Sequence, residues 1–132
     1  MENLKHLDGP TFEADVLSAS LPVVVDFYAD WCPPCRMMTP ALERLAVEFE
    51  GKVTIGKIDV DVYQDIAIQY GVMAMPTLAL FKHGKMVDRM VVYPASANPI
   101  REWIEKHVPT AAAKEAQKAT EAVRPTSNQA PG

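Results

Sequence analysis

The chain contains two cysteines, Cys32 and Cys35, set in the run Trp31-Cys32-Pro33-Pro34-Cys35-Arg36. If such a pair opens a helix, its sulfurs can meet with little backbone movement. The helix N-terminus adds partial positive charge and unpaired N–H groups, both of which favour a thiolate over a thiol. The chemistry this implies is dithiol–disulfide exchange. Cys32, outside the first turn, is expected to be the better exposed and to attack. Cys35, tucked beneath it, is expected to resolve the mixed disulfide. Pro33 and Pro34 cost little there, because first-turn N–H groups have no helical partner anyway. A zinc site would need four ligands, but there is no second cysteine pair and His6, His83 and His107 show no ligand spacing. No metal is expected. Covalent haem attachment needs a histidine after the second cysteine, where Arg36 stands. Two inert core cysteines remain the plain reading of a lone C-x-x-C, and the strand-to-helix placement beside Trp31 argues against it.

Two other residues could serve this chemistry. Asp26 lies inside the most apolar run of the chain, where an ionised carboxylate is expensive and its pKa should rise. It could take a proton from Cys35 as that sulfur attacks, with Lys57 on the adjacent predicted strand as its natural partner. The plain alternative is a strand acid that reaches solvent or pairs with a lysine. In Met75-Pro76-Thr77 a proline opens a strand. Such a proline is often only a start residue. A cis bond would instead present the backbone of Met75 to a substrate chain, and spacing alone makes that the lesser reading.

The elements that must position these groups read β-α-β-α-β-α-β-β-α. A short strand near Leu4–Leu7 leads to a helix from about Thr11 to Ser18. Pro22 to Tyr28 is a β-branched run suited to a central strand covered on both faces. Met38, Leu42, Leu45 and Phe49 mark one side of a long helix ended by Gly51. Val53, Ile55 and Ile58 form the next strand, and Tyr63 to Tyr70 a short helix closed by Gly71. Thr77–Lys82 and Lys85–Val92 flank His83-Gly84, a two-residue hairpin signal. A last helix carries Ile100, Trp103 and Ile104, with Pro99 near its first turn. The fold class is therefore α/β, a central mixed sheet with helices on both faces.

The 132 residues fit one domain of ordinary size, and 48% hydrophobic with 23% charged is a globular balance. Residues 1–108 form that domain. Residues 109–132 read as an Ala-rich, partly helical or disordered tail. The net charge of −4, from 13 Lys and Arg against 17 Asp and Glu, argues against nucleic acid. No apolar run approaches the ~20 residues of a membrane span. No secretory signal is visible at the start, so a cytoplasmic protein is expected.

Phe27-Tyr28-Ala29-Asp30-Trp31-Cys32-Pro33-Pro34-Cys35-Arg36-Met37, Lys57-Ile58-Asp59-Val60-Asp61, Met75-Pro76-Thr77 and Phe81-Lys82-His83-Gly84 follow one another in an order and spacing that resembles the thioredoxin family over roughly residues 4 to 108. The resemblance implies a protein-disulfide reductase with Cys32 as nucleophile, Cys35 as resolving thiol, Asp26 as buried proton acceptor with Lys57 beside it, and Pro76 in cis. It implies that Trp31 covers the site, and that Pro33, Pro34, Pro76 and the Met75 backbone meet an extended target. It further implies a monomer with no bound cofactor, the Cys32–Cys35 disulfide being the redox group. Electrons would come from an NADPH-dependent thioredoxin reductase and go to disulfide-containing target proteins. A binding module with incidental thiols, or an oxidase or isomerase of shifted potential, are the alternatives.

The sequence departs from that pattern in three places. Pro33 replaces the usual glycine, which makes the tetrapeptide similar to those of tryparedoxins, nucleoredoxins and some envelope thioredoxin-like proteins. Met75 replaces a branched residue. Val91-Val92-Tyr93-Pro94 stands where the family has a glycine after the fifth strand, so Val92 or Tyr93 is expected to narrow the groove for target backbones.

Overall fold

Branched and aromatic side chains between Pro22 and Ala29 leave that segment one stable option, a strand buried on both faces. The computed structural model describes residues 4–92 and 96–108, so Tyr93 and the expected tail from Pro109 onward lie outside the described residues. It places strand β2, Val23–Tyr28, in the middle of a five-stranded sheet of order β1-β3-β2-β4-β5. β1 (Lys5–His6) and β3 (Thr54–Asp59) run parallel to β2; β4 (Thr77–Lys82) runs antiparallel to β2, and β5 (Lys85–Val91) antiparallel to β4. The β4–β5 turn is the expected two-residue hairpin. His83 and Gly84 both take positive φ, 54° and 80°, which matches the right-handed twist of the strands they join. The two outer strands are blunt. β1 has only two residues, and β5 carries Lys85, Asp88 and Arg89 with a register irregularity opposite Leu80 and Phe81.

The helices cover both faces. Helix α1, Pro33–Glu48, and helix α3, Ala97–His107, lie on one side. There Met38, Leu42, Leu45, Ile100, Trp103 and Ile104 pack on Val24, Ile55, Leu78 and Leu80. Helix α2, Gln64–Gln69, covers the other side with the chain around Phe12 and Val16, against Val23, Val25, Phe27 and Phe81. The first helix differs from the expected Thr11–Ser18 span. It is a five-residue π-helix, Glu13–Leu17, in which the Ser18 N–H reaches back to the Glu13 carbonyl at 2.8 Å. With one buried residue, Val16, it has little packing to enforce tighter winding. Pro40 lies inside α1, and the helix runs through it because its neighbours Met38 and Leu42 are locked in the core.

The end of α3 is tied to the hairpin. Asp88 Oδ2 accepts from Trp103 Nε1 at 3.0 Å and sits 2.8 Å from His107 Nε2, while Lys82 Nζ donates to the His107 carbonyl at 3.0 Å. The His107 contact, burial and the Trp103 bond act together on Asp88, and the net effect holds its carboxyl below the usual range.

Val92 corrects an expectation. Its side chain is 4% exposed and belongs to the core beneath α3, and its N–H donates to the Pro76 carbonyl at 3.2 Å. It cannot narrow a groove, because the end of β5 turns it inward. Val92→Ala should therefore destabilise the fold by about 2 kcal/mol, read from urea unfolding, with equal effects on small and protein disulfides. A selective gain on protein substrates would restore the groove role.

Candidate functional site

The site is built where β2 gives way to α1. Cys32 is the N-cap of that helix in extended conformation, and Pro33 and Pro34 occupy its first positions. Their fixed φ suits a first turn, and their missing N–H groups leave nothing unpaired. The Cys35 amide donates to Cys32 Sγ at 3.2 Å, and the Cys35 and Arg36 amides approach the Cys32 carbonyl at 3.1 and 3.2 Å. The sulfur of Cys32 thus takes the place a serine or aspartate oxygen takes at other helix starts. Cys32 and Cys35 are joined as a disulfide, with Cα atoms 5.3 Å apart. In this oxidised form the expected difference in exposure is absent, since each residue is 3% exposed. What distinguishes them is the helix end, whose amide points at Cys32.

Asp26 is 2% exposed on β2, and its Oδ1 has no hydrogen-bond partner among the described residues. Burial pushes its carboxyl up to about 7, with the positive charge of Lys57 pulling partly the other way. Lys57 lies in register with Asp26 across β2 and β3. Its ammonium sits over the Tyr28 ring, 4.5 Å from the centroid, and acts on Asp26 through its charge. Asp26, Lys57, Tyr28, Thr39 and Cys35 all line one open cavity of about 210 Å³. Asp26 and the second cysteine therefore border the same space, which is large enough for several waters.

Trp31 is 63% exposed, and its Nε1 donates to Asp61 Oδ2 at 2.7 Å. Asp61 is held in turn by the loop after β3, where Asp59 Oδ1 accepts from the Asp61 amide at 2.8 Å and the Val62 amide at 3.3 Å. Arg36 donates to the Asp30 carbonyl, closing the loop that carries Trp31 and Cys32. The Met75–Pro76 bond is cis, as the resemblance implied and spacing alone did not. Met75 packs partly buried against the cluster that contains both cysteines. Of the expected site residues, Cys32, Cys35, Pro33, Pro34, Asp26 and Lys57 come together here. Val92 is turned into the core, and Tyr93 lies outside the described residues. Tyr28, Arg36 and Asp61 were missed as contributors. Asp61 was visible in the Asp59-Val60-Asp61 run, but its partner is 30 residues away in sequence.

Among the described residues no cluster of His, Cys, Asp or Glu could hold a metal ion. No helix there is long and apolar enough to cross a membrane.

The sequence model of the thioredoxin family matches residues 3–106. The chain is 42% identical over 98 residues to thioredoxin 1 of Nostoc sp., covering 74% of this chain and 91% of that protein. It is 42% identical over 108 residues to the thioredoxin of Synechocystis sp., covering 82% of this chain and 100% of that protein. It is 45% identical over 84 residues to mouse mitochondrial thioredoxin, covering 64% of this chain and 51% of that protein. Together with a cysteine pair closed at the start of α1, these matches establish that the chain belongs to the thioredoxin family and is a thiol–disulfide oxidoreductase.

Proposed function

We propose that this chain is a general protein-disulfide reductase working as a two-step exchange. The Cys32 thiolate attacks one sulfur of a target disulfide, forming a mixed disulfide and releasing the other target thiolate. Cys35 then attacks Cys32 Sγ, closing the Cys32–Cys35 disulfide and expelling the second target thiolate. Two electrons pass to the target. The proton of Cys35 goes to Asp26, whose carboxyl burial pushes up to about 7, near enough to neutrality to take a proton and release it. The observation that carries the reading is the Cys35 amide directed at Cys32 Sγ from the helix end, which stabilises a thiolate at Cys32. Trp31, Pro33, Pro34, Pro76 and the Met75 backbone form the contact surface for an extended target, by analogy with the family.

The reading carries partners with it. A reductase must be reduced again, so we infer an NADPH-dependent thioredoxin reductase as donor, disulfide-bearing proteins as acceptors and a reducing, cytoplasmic setting. The chain itself acts as a monomer with the disulfide as its redox group. Reduction of insulin by dithiothreitol tests the activity: the chain should accelerate it, whereas a binding module with incidental thiols would leave the uncatalysed rate unchanged.

Pro33 should tune the potential. It fixes its own φ and restricts Cys32, which lowers the entropy the dithiol form loses on closing. Pro33→Gly is expected to raise the reduction potential by about 10–20 mV, from ~0.4–1 kcal/mol of chain entropy at ~30 mV per 1.4 kcal/mol. Titration against glutathione measures it, and a lower potential would reject the argument.

A further inference from the structure

Lys57 and Asp26 stand opposite one another on adjacent strands. A flexible ammonium on the strand opposite a buried carboxylate with an unpartnered Oδ1 has that carboxylate as one available partner. Here it lies over a ring instead, 4.5 Å from the Tyr28 centroid. Tyr28 follows Asp26 by two residues on β2, so both side chains stand on the same face of the sheet. Tyr28, Lys57 and Asp26 line the same cavity as Cys35. The face of an aromatic ring attracts a cation without asking it to leave water entirely, whereas the buried carboxylate does ask that.

We propose that Tyr28 is a positioning residue: its ring holds the Lys57 ammonium off Asp26, so that Asp26 stays short of a full ion pair and able to take up a proton. The role rests on the reading of Asp26 as the acceptor for Cys35. A closed ion pair would make Asp26 a weaker base, and the second exchange step would lose its proton acceptor near neutral pH. The other groups around Asp26 leave this balance to Lys57. Helix α1 presents Cys35 and Arg36 to the cavity, and the loop before it presents Asp30. Strand β4 opposes Asp26 with apolar Leu78. Burial, and after it the charges of Asp59, Asp30 and Asp26, push the Tyr28 phenol up and keep it neutral.

The test follows the Asp26 carboxyl carbon by NMR against pH in the full-length oxidised chain. Tyr28→Leu should lower its midpoint by about half to one pH unit, the size of a partly exposed cation–ring contact. Tyr28→Phe, which keeps the ring, should move it by less than half of that. In a Lys57→Met background the effect of Tyr28→Leu should vanish, because there is no ammonium left to release. An unmoved or raised midpoint in Tyr28→Leu overturns the proposal, and so does the same shift in the Lys57→Met background, which would mean that the ring acts by burying Asp26 directly. Should Tyr28→Leu fail to fold, the wild-type chain still decides: the Lys57 ε-methylene resonances must be displaced upfield by the ring, and undisplaced resonances overturn it. The titration involves no turnover. A midpoint that shifts while the pH dependence of the resolution rate does not would remove Asp26 from proton transfer and leave the hold of Tyr28 on Lys57 standing.

Discussion

Cys35→Ser should abolish turnover and leave the protein covalently attached to its targets. Cys32 keeps the helix end that favours its thiolate, so the first exchange proceeds. Serine cannot displace a disulfide sulfur, so nothing releases the complex. Incubation with an oxidised protein substrate, followed by non-reducing electrophoresis, should show a mixed disulfide that dithiothreitol dissolves. The steady rate of insulin reduction should fall by about a thousandfold or more, the usual scale for loss of a covalent participant. Cys32→Ser should be equally inactive without trapping, because Cys35 lies within the first turn and lacks the helix-end amide that favours a thiolate at Cys32. Equal or better trapping by Cys32→Ser would reverse the two roles.

Asp26→Asn should produce the largest change in stability, and the change should depend on pH. The unfolded carboxyl releases its proton near 3.8, while the folded one holds it to about 7. Below the first value both states are protonated and no linkage exists. Between the two, the unfolded chain binds fewer protons, so wild-type stability falls by ~1.4 kcal/mol per pH unit as pH rises, and it levels off above the second. The accumulated loss is on the order of 4 kcal/mol at pH 8. Asparagine cannot ionise, so the variant should gain little at pH 4 and most of that amount at pH 8. Urea unfolding of the oxidised proteins at both pH values measures it. A gain of the same size at both, or a loss at pH 8, would mean that Asp26 is not a strained buried charge. Resolution should also slow by about tenfold or more near neutral pH, since the base is gone.

Much of this arrangement can be read from the residues alone, and the reason is local. The apolar run ending in Asp26-Phe27-Tyr28 identifies the central strand by composition, and the three- and four-residue spacing of Met38, Leu42 and Leu45 identifies the face of α1. The cysteines join those two elements, so locating the elements locates the pair. What could not be read depends on register between segments remote in sequence. Lys57 was placed beside Asp26, but whether its ammonium meets the carboxylate or the Tyr28 ring depends on a cross-strand geometry no spacing encodes. Val92 failed for a related reason. The side-chain period of a strand is two, so the exact end of β5 decides whether that residue faces a groove or the core. The Glu13–Leu17 segment announced a helix, and its winding was set by how few of its side chains the core accepts.

The blunt outer strands bear on how such a molecule behaves in a crowded solution. An extended segment of another chain can add itself to any free row of backbone groups at a sheet edge. β1 offers two residues, too few to seed a ladder, and β5 presents alternating exposed positions that include Lys85 and Arg89, with its register broken midway. Neither rim is therefore both long and regular, which leaves unfolded chains no continuous edge to extend into aggregates.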